Sequence, residues 1–168
     1  MNWKALERLD LQPGERFLEV GFGGGALLRA AREQGAIVSG IDVSNAMVKR
    51  AQGLDVHLAS AEALPFDARA FDKAASLNSL YFWPDPVASL AELARVVKPG
   101  GKLLLAFEPP EELRKWPGHR HGFRLFEVAQ VRVLMEAAGF TAVEQSWGTG
   151  RKPDRFCCLS GTRIGANG

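Results

Sequence analysis

The chain is poor in the features that mark secreted, membrane-spanning or metal-binding proteins. Its two cysteines, Cys157 and Cys158, are neighbours in the sequence. Because neighbouring residues of a strand point to opposite faces, the pair is unsuited to a disulfide or a metal site, and we interpret it as two small hydrophobic residues of a strand. No apolar stretch has the length of a signal-peptide core or a membrane span. These absences predict a soluble, cytoplasmic protein without a metal centre.

The chain also lacks an excess of charge of either sign. Its 21 lysines and arginines oppose 19 aspartates and glutamates, which leaves a formal net charge of +2. Proteins that bind nucleic acids neutralise phosphates with basic residues, so this composition gives no evidence of a nucleic-acid partner. The 168 residues, 46% of them hydrophobic, suffice for one substantial core. We therefore predict a single domain over residues 1–168.

Short apolar segments alternate with longer helical patterns, which predicts an α/β fold with a mostly parallel sheet and helices on both faces. Strands are predicted at residues 16–20, 36–41, 55–59, 71–77, 102–107, 140–147 and 155–162. The last two strands are separated by a short link and should form an antiparallel hairpin. Only one short helix precedes the first strand, and residues 108–124 are too polar and rich in proline and glycine to fit either pattern, so we predict an irregular insertion there.

A glycine-rich loop joins the first predicted strand to the next helix, over residues 19–26. Glycine lets the backbone approach a ligand closely, and the free N–H groups of a helix start can bind it. Gly21, Gly23 and Ala26 satisfy the dinucleotide pattern G-x-G-x-x-G/A, and Asp42 lies at the usual distance for a ribose contact. The loop alone therefore leaves two adenosine-containing ligands open, NAD(P) and S-adenosylmethionine.

Glu19 distinguishes between these ligands, because it places an acidic residue just before the loop. A pyrophosphate would bring negative charge next to this carboxylate, whereas S-adenosylmethionine would bring an ammonium group and a sulfonium. The chain also lacks the Tyr-x-x-x-Lys pair of short-chain oxidoreductases, since Asp85 stands four residues after Tyr81. An NAD(P)-dependent oxidoreductase is thus the less favoured alternative.

Four further segments, in order, carry a family resemblance. They are Glu19–Gly25, Gly40–Met47, Ala61–Phe66 followed by Phe71 and Asp72, and Leu93–Lys102. From about Leu18 to Phe107 the chain resembles class I S-adenosylmethionine-dependent methyltransferases, in particular the type 11 group that includes ubiquinone and menaquinone biosynthesis methyltransferases. The resemblance implies a Rossmann-like three-layer sandwich and transfer of a methyl group to a small-molecule acceptor by in-line displacement, with S-adenosylhomocysteine as product.

The resemblance also implies roles for individual residues. Asp42 would accept hydrogen bonds from the ribose hydroxyls, and Val43 and Met47 would flank the adenine. Ser60 stands where the family commonly has an aspartate that binds the adenine amino group, so Ser60, the Ala61 N–H and Glu62 would have to serve instead. Asn78 would lie near the methionine end. The loop residues assigned to the cofactor are Glu19, Gly21, Phe22, Gly23 and Gly25.

The acceptor side is less defined by the sequence. Tyr81 and Trp83 belong to an aromatic cluster that could hold a flat substrate or the sulfonium, and His119 and His121 lie in the 108–124 segment. That segment is interpreted as a solvated loop, with a basic lid over an acidic substrate as the alternative. No catalytic base is assigned. A homodimer, or an adenosylmethionine-binding subunit that needs a partner or is not catalytic, stays open because so little chain precedes the loop.

Overall fold

A computed structural model describes residues 1–150 and 154–165. The predicted single domain also includes residues 151–153 and 166–168, which lie outside the described residues. The strands are β1 Arg16–Val20, β2 Ile37–Asp42, β3 Asp55–Leu58, β4 Phe71–Leu77, β5 Val97–Phe107, β6 Phe140–Thr149 and β7 Arg155–Arg163. The helices are α1 Asn2–Leu9, α2 Ala26–Glu33, α3 Asn45–Arg50, α4 Pro86–Val96, α5 Pro110–Leu113 and α6 Val128–Ala137. None of the helices in the described ranges is both long enough and apolar enough to cross a membrane.

The seven strands form one sheet in the order β3-β2-β1-β4-β5-β7-β6. β1 lies in the middle and pairs in parallel with both β2 and β4. β7 runs antiparallel to β5 and to β6, so the C-terminal strands are the antiparallel part of the sheet. The predicted α/β class, the mostly parallel sheet and the C-terminal hairpin are confirmed.

Local sequence signals begin and end several helices. Ser44 accepts a hydrogen bond from the Met47 N–H (3.4 Å) at the start of α3, which is the predicted N-cap. Asp85 caps α4 in the same way, and Pro86 follows it in the first turn, where a missing N–H costs nothing. These caps fix where α3 begins after β2 and where α4 begins after the loop that follows β4.

The sheet buries an apolar core on each face. On one face α1, α2 and α3 cover Phe17 and Leu104, with α1 contributing the predicted face Ala5, Leu6 and Leu9. On the other face α4 and α6 cover Phe71 and Leu103. Successive residues of a strand face opposite ways, so a strand covered on both sides is hydrophobic throughout, as β5 is from Leu103 to Phe107. The two covering layers make the sandwich three layers deep.

The start of β5 differs from the prediction by five residues. β5 was expected to begin at Lys102 after a turn, but β4–β5 pairing already starts at Phe71 and Val97 and resumes at Lys73 and Lys102. The predicted turn is therefore an outward bulge within the strand pairing, and Gly100 adopts the left-handed conformation that it requires (φ 80°).

The segment 108–124, predicted as an irregular insertion, includes two short helical pieces. It contains α5 and a 3-10 turn, Pro117–Arg120, and Leu113 is buried against the α4 and α6 face. A four-residue helix shows no periodic apolar pattern, which is why the sequence does not reveal it.

Gly40 in β2 offers a test of how the fold positions the glycine-rich loop. A Cβ atom on Gly40 would lie 2.7 Å from Leu28 Cδ1 and 2.9 Å from Phe22 Cδ1, so the loop residue Phe22 packs directly on the bare β2 backbone. We expect Gly40→Val to lower the free energy of unfolding by about 1–3 kcal/mol through overpacking, measured by urea denaturation. Ile37→Val, on the exposed part of the same strand, is the control and should change it by less than about 0.5 kcal/mol. Equal stability of the two variants would contradict this packing.

Candidate functional site

A cleft of about 260 Å³ opens at the carboxyl edge of the sheet, where β1 lies between β2 and β4. The chain leaves β1 towards α2 on one face of the sheet and leaves β4 towards α4 on the other face, which opens a crevice between the outgoing loops. The cleft is lined by Val20, Gly21, Gly23, Ile41, Asp42, Val43, Ser60, Ala61, Asn78, Ser79, Phe82, Trp83 and Pro84.

The glycine-rich loop forms one wall of the cleft in a conformation that needs glycine. The Gly21 N–H donates to the Ile41 carbonyl (2.8 Å), which continues the pairing of β1 with β2 into the loop. Gly21 has φ 76°, and a Cβ atom there would collide with the Ser79 side chain. A side chain at position 21 would therefore push apart the two loops that enclose the cleft.

Asp42 connects this loop to the start of α3. Its Oδ2 accepts a hydrogen bond from the Gly23 N–H (3.0 Å), and its Oδ1 accepts one from the Ser44 N–H (2.9 Å). Each carboxylate oxygen has two lone pairs, so both keep one acceptor site while holding the backbone. Asp42 lines the cleft and can still bind a pair of hydroxyl groups.

Glu19 lies beneath the loop and does not line the cleft. Its side chain is almost fully buried, and its Oε2 has no hydrogen-bond partner among the described residues. Burial raises the pKa of the Glu19 carboxyl well above its usual range, and the negative charge of Asp42 raises this pKa further. The carboxyl group thus lacks a compensating positive charge within the described structure.

Some of the other residues that the sequence assigned to the cofactor line the cleft, and others do not. Val43 is 74% exposed at the edge of the cleft, and Ser60 and Ala61 line it. Ser60 Oγ already accepts a hydrogen bond from the Glu62 N–H (3.3 Å), which uses part of its acceptor capacity. Asn78 lines the cleft from the end of β4, in the left-handed conformation (φ 52°) that asparagine tolerates.

Four assigned residues lie away from the cleft. Phe22 is buried under the loop, Gly25 caps α2, and Met47 packs against the core beneath α3. Glu62 Oε1 accepts a hydrogen bond from the Asp85 N–H (2.9 Å) and so joins its loop to the start of α4. The side chains of Phe22, Met47 and Glu62 face other protein groups, so these residues support the walls of the cleft.

Tyr81, predicted as a substrate contact, does not line the cleft. It is buried, and its hydroxyl donates to Asn78 Oδ1 (3.0 Å) and accepts from the Glu108 N–H. Its carbonyl accepts from the Arg124 N–H (3.1 Å). Burial raises the pKa of the Tyr81 hydroxyl, which makes a role as a base unfavourable. Tyr81 therefore links the ends of β4, β5 and the 108–124 segment.

The remaining residues predicted for the acceptor, Trp83 and two histidines, do not lie together. Trp83 lines the cleft, but neither histidine does: His119 Nδ1 lies 2.6 Å from the Trp116 carbonyl, and His121 is exposed. In residues 1–150 and 154–165, no group of three or more His, Cys, Asp or Glu side chains is arranged to hold a metal ion.

Several residues that line the cleft were not predicted from the sequence. They are Val20, Ile41, Ser79, Phe82 and Pro84. Each is close in sequence to a residue that was assigned, and Phe82, 52% exposed next to a buried tyrosine, has the clearest signal of contact with a ligand.

The sheet order, the glycine-rich loop and an acidic residue at the end of β2 define the class: an α/β protein that binds a nucleotide-like ligand at a topological switch point. Residues 18–105 match the family described as "Methyltransferase domain". The chain belongs to this methyltransferase family, as the four sequence segments predicted, and the oxidoreductase alternative is not supported.

Curated relatives agree with this assignment. The chain is 34% identical over 119 residues to an uncharacterized methyltransferase, YdaC, of Bacillus subtilis, covering 66% of this chain and 66% of the relative. It is 38% identical over 99 residues to a demethylmenaquinone methyltransferase of Corynebacterium kroppenstedtii, covering 58% of this chain and 43% of the relative. The aligned segments thus span about two thirds or less of these relatives.

Solved structures show the same fold at lower identity. A chain of the complex between the Haloferax volcanii Trm112 methyltransferase activator and a methyltransferase superposes with a TM-score of 0.88 at 24% identity, covering 97% of this chain and 88% of that one. Phosphoethanolamine N-methyltransferase 2 of Haemonchus contortus, in complex with S-adenosyl-L-methionine, gives 0.81 at 19% identity, covering 98% and 52%. The Rossmann-like fold predicted from the sequence is confirmed.

Removing the ionisable carboxyl of Glu19 should change the pH dependence of stability. In the unfolded chain Glu19 ionises near its ordinary pKa, whereas in the folded chain it stays protonated to higher pH. This group's contribution to stability is therefore lost as pH rises from the ordinary pKa towards the raised one, by about 1.4 kcal/mol per pH unit at most. We expect Glu19→Gln to gain stability relative to the native protein as pH rises above the ordinary pKa of a glutamate, measured by urea denaturation at a series of pH values.

The matched control for this experiment is Glu33→Gln, because Glu33 is an exposed carboxylate at the end of α2. Its difference from the native protein should not vary over the same pH range. A pH-independent effect of Glu19→Gln would mean that the folded chain holds Glu19 ionised.

The links made by Tyr81 predict a loss of stability in Tyr81→Phe. Without the hydroxyl, the Glu108 N–H loses its acceptor and Asn78 Oδ1 loses its donor. Leaving these groups unpaired should lower the free energy of unfolding by about 1–3 kcal/mol in urea denaturation. Phe82→Leu, an exposed position beside it, should cost less than Tyr81→Phe. The reverse order would show that the hydroxyl contributes little.

Proposed function

We propose that this chain binds S-adenosylmethionine in the cleft and transfers its methyl group to a small-molecule acceptor. The proposal rests on the position of Asp42. The Gly23 and Ser44 N–H groups hold its carboxylate at the edge of the cleft, and both oxygens keep a spare acceptor site. Membership of the methyltransferase family and the bound ligand of the Haemonchus contortus neighbour support it.

The residues present fit this ligand better than a dinucleotide. Glu19 and Asp42 give the loop region two acidic groups, and Glu19 Oε2 is a buried acceptor without a donor. A ligand with an ammonium and a sulfonium would supply positive charge next to them, whereas a pyrophosphate would add negative charge. A Cβ atom on Gly23 would meet no protein atom within 4 Å, so the loop leaves open space at its tip.

Each wall of the cleft would hold a different part of the ligand. Asp42 would bind the ribose hydroxyls, with Val43 and Ala61 against the adenine. Gly21 and Asn78, at the ends of β1 and β4, would lie beside the methionine end. These roles remain predictions for every residue named.

S-adenosylmethionine supplies a methyl group that is already activated by the sulfonium, so the chain has to align the acceptor and exclude water rather than activate the donor. The apolar side chains of Ile41, Phe82 and Trp83 line the cleft for this purpose. Neither Tyr81 nor a histidine lines the cleft, and the transfer is proposed without a base from these residues.

Calorimetric titration tests the cofactor. We expect the native protein to bind S-adenosylmethionine and not NADH, and Asp42→Asn to weaken that binding by about 10- to 100-fold, because a charged acceptor is lost. Asp67→Asn, at an exposed aspartate that is not part of the cleft, is the matched control and should bind like the native protein.

The result of this titration separates the alternatives. Preference for NADH, or equal binding by Asp42→Asn and the native protein, would overturn the assignment of the cleft. Binding of S-adenosylmethionine with turnover only after another protein is added would favour the partner-dependent subunit.

A further inference from the structure

Asn78 is fixed by its backbone at the carboxyl edge of the sheet. It follows β4, its N–H donates to the Ala106 carbonyl (2.9 Å), and its φ of 52° lies in the left-handed region. Asparagine is one of the few residues besides glycine that adopt this conformation at low cost. Asn78 is exposed and lines the cleft, so the backbone holds a polar side chain at the site.

One end of the Asn78 carboxamide is occupied by Tyr81. The Tyr81 hydroxyl lies 3.0 Å from Asn78 Oδ1 and also accepts a hydrogen bond from the Glu108 N–H. A backbone N–H can only donate, so it uses a lone pair of the hydroxyl oxygen and leaves the hydroxyl proton for another acceptor. Burial raises the pKa of the Tyr81 hydroxyl, so this proton is present at neutral pH. The hydrogen bond therefore runs from the tyrosine hydroxyl to the amide oxygen.

The direction of this hydrogen bond decides which end of the carboxamide faces the tyrosine. The opposite orientation would place the amide nitrogen next to the hydroxyl, and the proton of the buried Tyr81 would lose its acceptor, which is unfavourable. Within residues 1–150 and 154–165, the bond to Tyr81 is the one side-chain hydrogen bond that Asn78 makes. Both N–H donors of Asn78 Nδ2 are therefore available to a ligand in the cleft.

The cleft offers no positive charge to an anionic group of a ligand. Its lining residues in the described part of the chain include no lysine, arginine or histidine, and the one charged residue among them, Asp42, is acidic. S-adenosylmethionine carries a carboxylate at its methionine end, beside which the proposed function places Asn78. A carboxylate bound there has to use neutral hydrogen-bond donors, and the Asn78 amide supplies two of them.

We propose that Tyr81 is a positioning residue, which turns the Asn78 carboxamide so that its N–H groups bind the carboxylate of the methionine moiety. The inference rests on the proposed function and assigns one end of the cofactor to a particular side chain. Tyr81 does not line the cleft and acts through Asn78. It excludes the orientation in which the amide oxygen, a partial negative charge, would repel the carboxylate.

Equilibrium binding of two probes tests this inference. They are S-adenosylhomocysteine and its decarboxylated analogue, which keeps the amine and lacks the carboxylate. The measured quantity is the ratio of their affinities, because a loss of folded protein weakens the apparent binding of both probes alike. We expect the native protein to bind S-adenosylhomocysteine about tenfold or more tightly than the analogue, since hydrogen bonds to a charged group are lost in the analogue.

Three variants distinguish positioning from a purely structural role. Asn78→Asp keeps an acceptor for the Tyr81 hydroxyl but replaces the N–H donors with an oxygen, so it should abolish or reverse the preference. Tyr81→Phe releases the carboxamide and should reduce the preference severalfold. In the background of Asn78→Gly, which tolerates the left-handed backbone but lacks the amide, Tyr81→Phe should not change the ratio further.

The matched control is Asn45→Asp, which introduces the same charge at an exposed residue of α3 outside the cleft lining and should keep the native ratio. If S-adenosylhomocysteine does not bind the native protein, the proposed function fails, and the inference with it. If it binds and the native protein shows no preference, or Asn78→Asp keeps the preference, Asn78 does not bind the carboxylate. If Tyr81→Phe keeps the native ratio, or changes it equally in the Asn78→Gly background, Tyr81 does not act through Asn78. These last results overturn the inference and leave the proposed function standing.

Discussion

The parallel register of β2, β1 and β4 is the constraint on which the rest of the structure depends. Val20 pairs with Ile41, and Glu19 pairs with both Gly40 and Ala75, so these three strands end at the same edge of the sheet. The loops that follow β1 and β4 lead to helices on opposite faces and do not cover the gap between these two strands. The cleft is a consequence of this topology, and the side chains only give it its chemistry.

The cofactor side of the cleft combines structural and binding roles in the same residues. Asp42 holds the loop backbone through Gly23 and Ser44, and the packing of Phe22 on Gly40 holds the loop from below. Both contacts are made between protein groups, so the position of the loop backbone is fixed from within the protein. The buried carboxyl of Glu19 has no counter-charge among the described residues, and the positive charge of a cationic cofactor would favour its ionised form.

The acceptor side is organised around Tyr81. It is the single tyrosine of the chain and stands in an aromatic cluster, which is compatible with a substrate contact or with packing. In the structure its hydroxyl and carbonyl join three chain segments, and its neighbour Phe82 faces the cleft instead. A short 3-10 turn at Leu80–Phe82 decides which of these two neighbouring side chains faces the cleft. No local sequence pattern specifies the direction of this turn. The same applies to α5, a four-residue helix that is too short to be seen in the sequence.

The sequence by itself determined the type and order of most elements, the glycine-rich loop and the position of Asp42, because these follow from local patterns of hydrophobicity, capping and backbone freedom. The tertiary structure alone decided that β7 lies between β5 and β6, that Glu62 accepts a hydrogen bond from the start of α4, and that Met47 packs against the core. The physical reason is that strand order, side-chain partners and burial depend on contacts between distant parts of the chain. Such contacts, as between Tyr81 and Glu108, are fixed only when the whole core has packed.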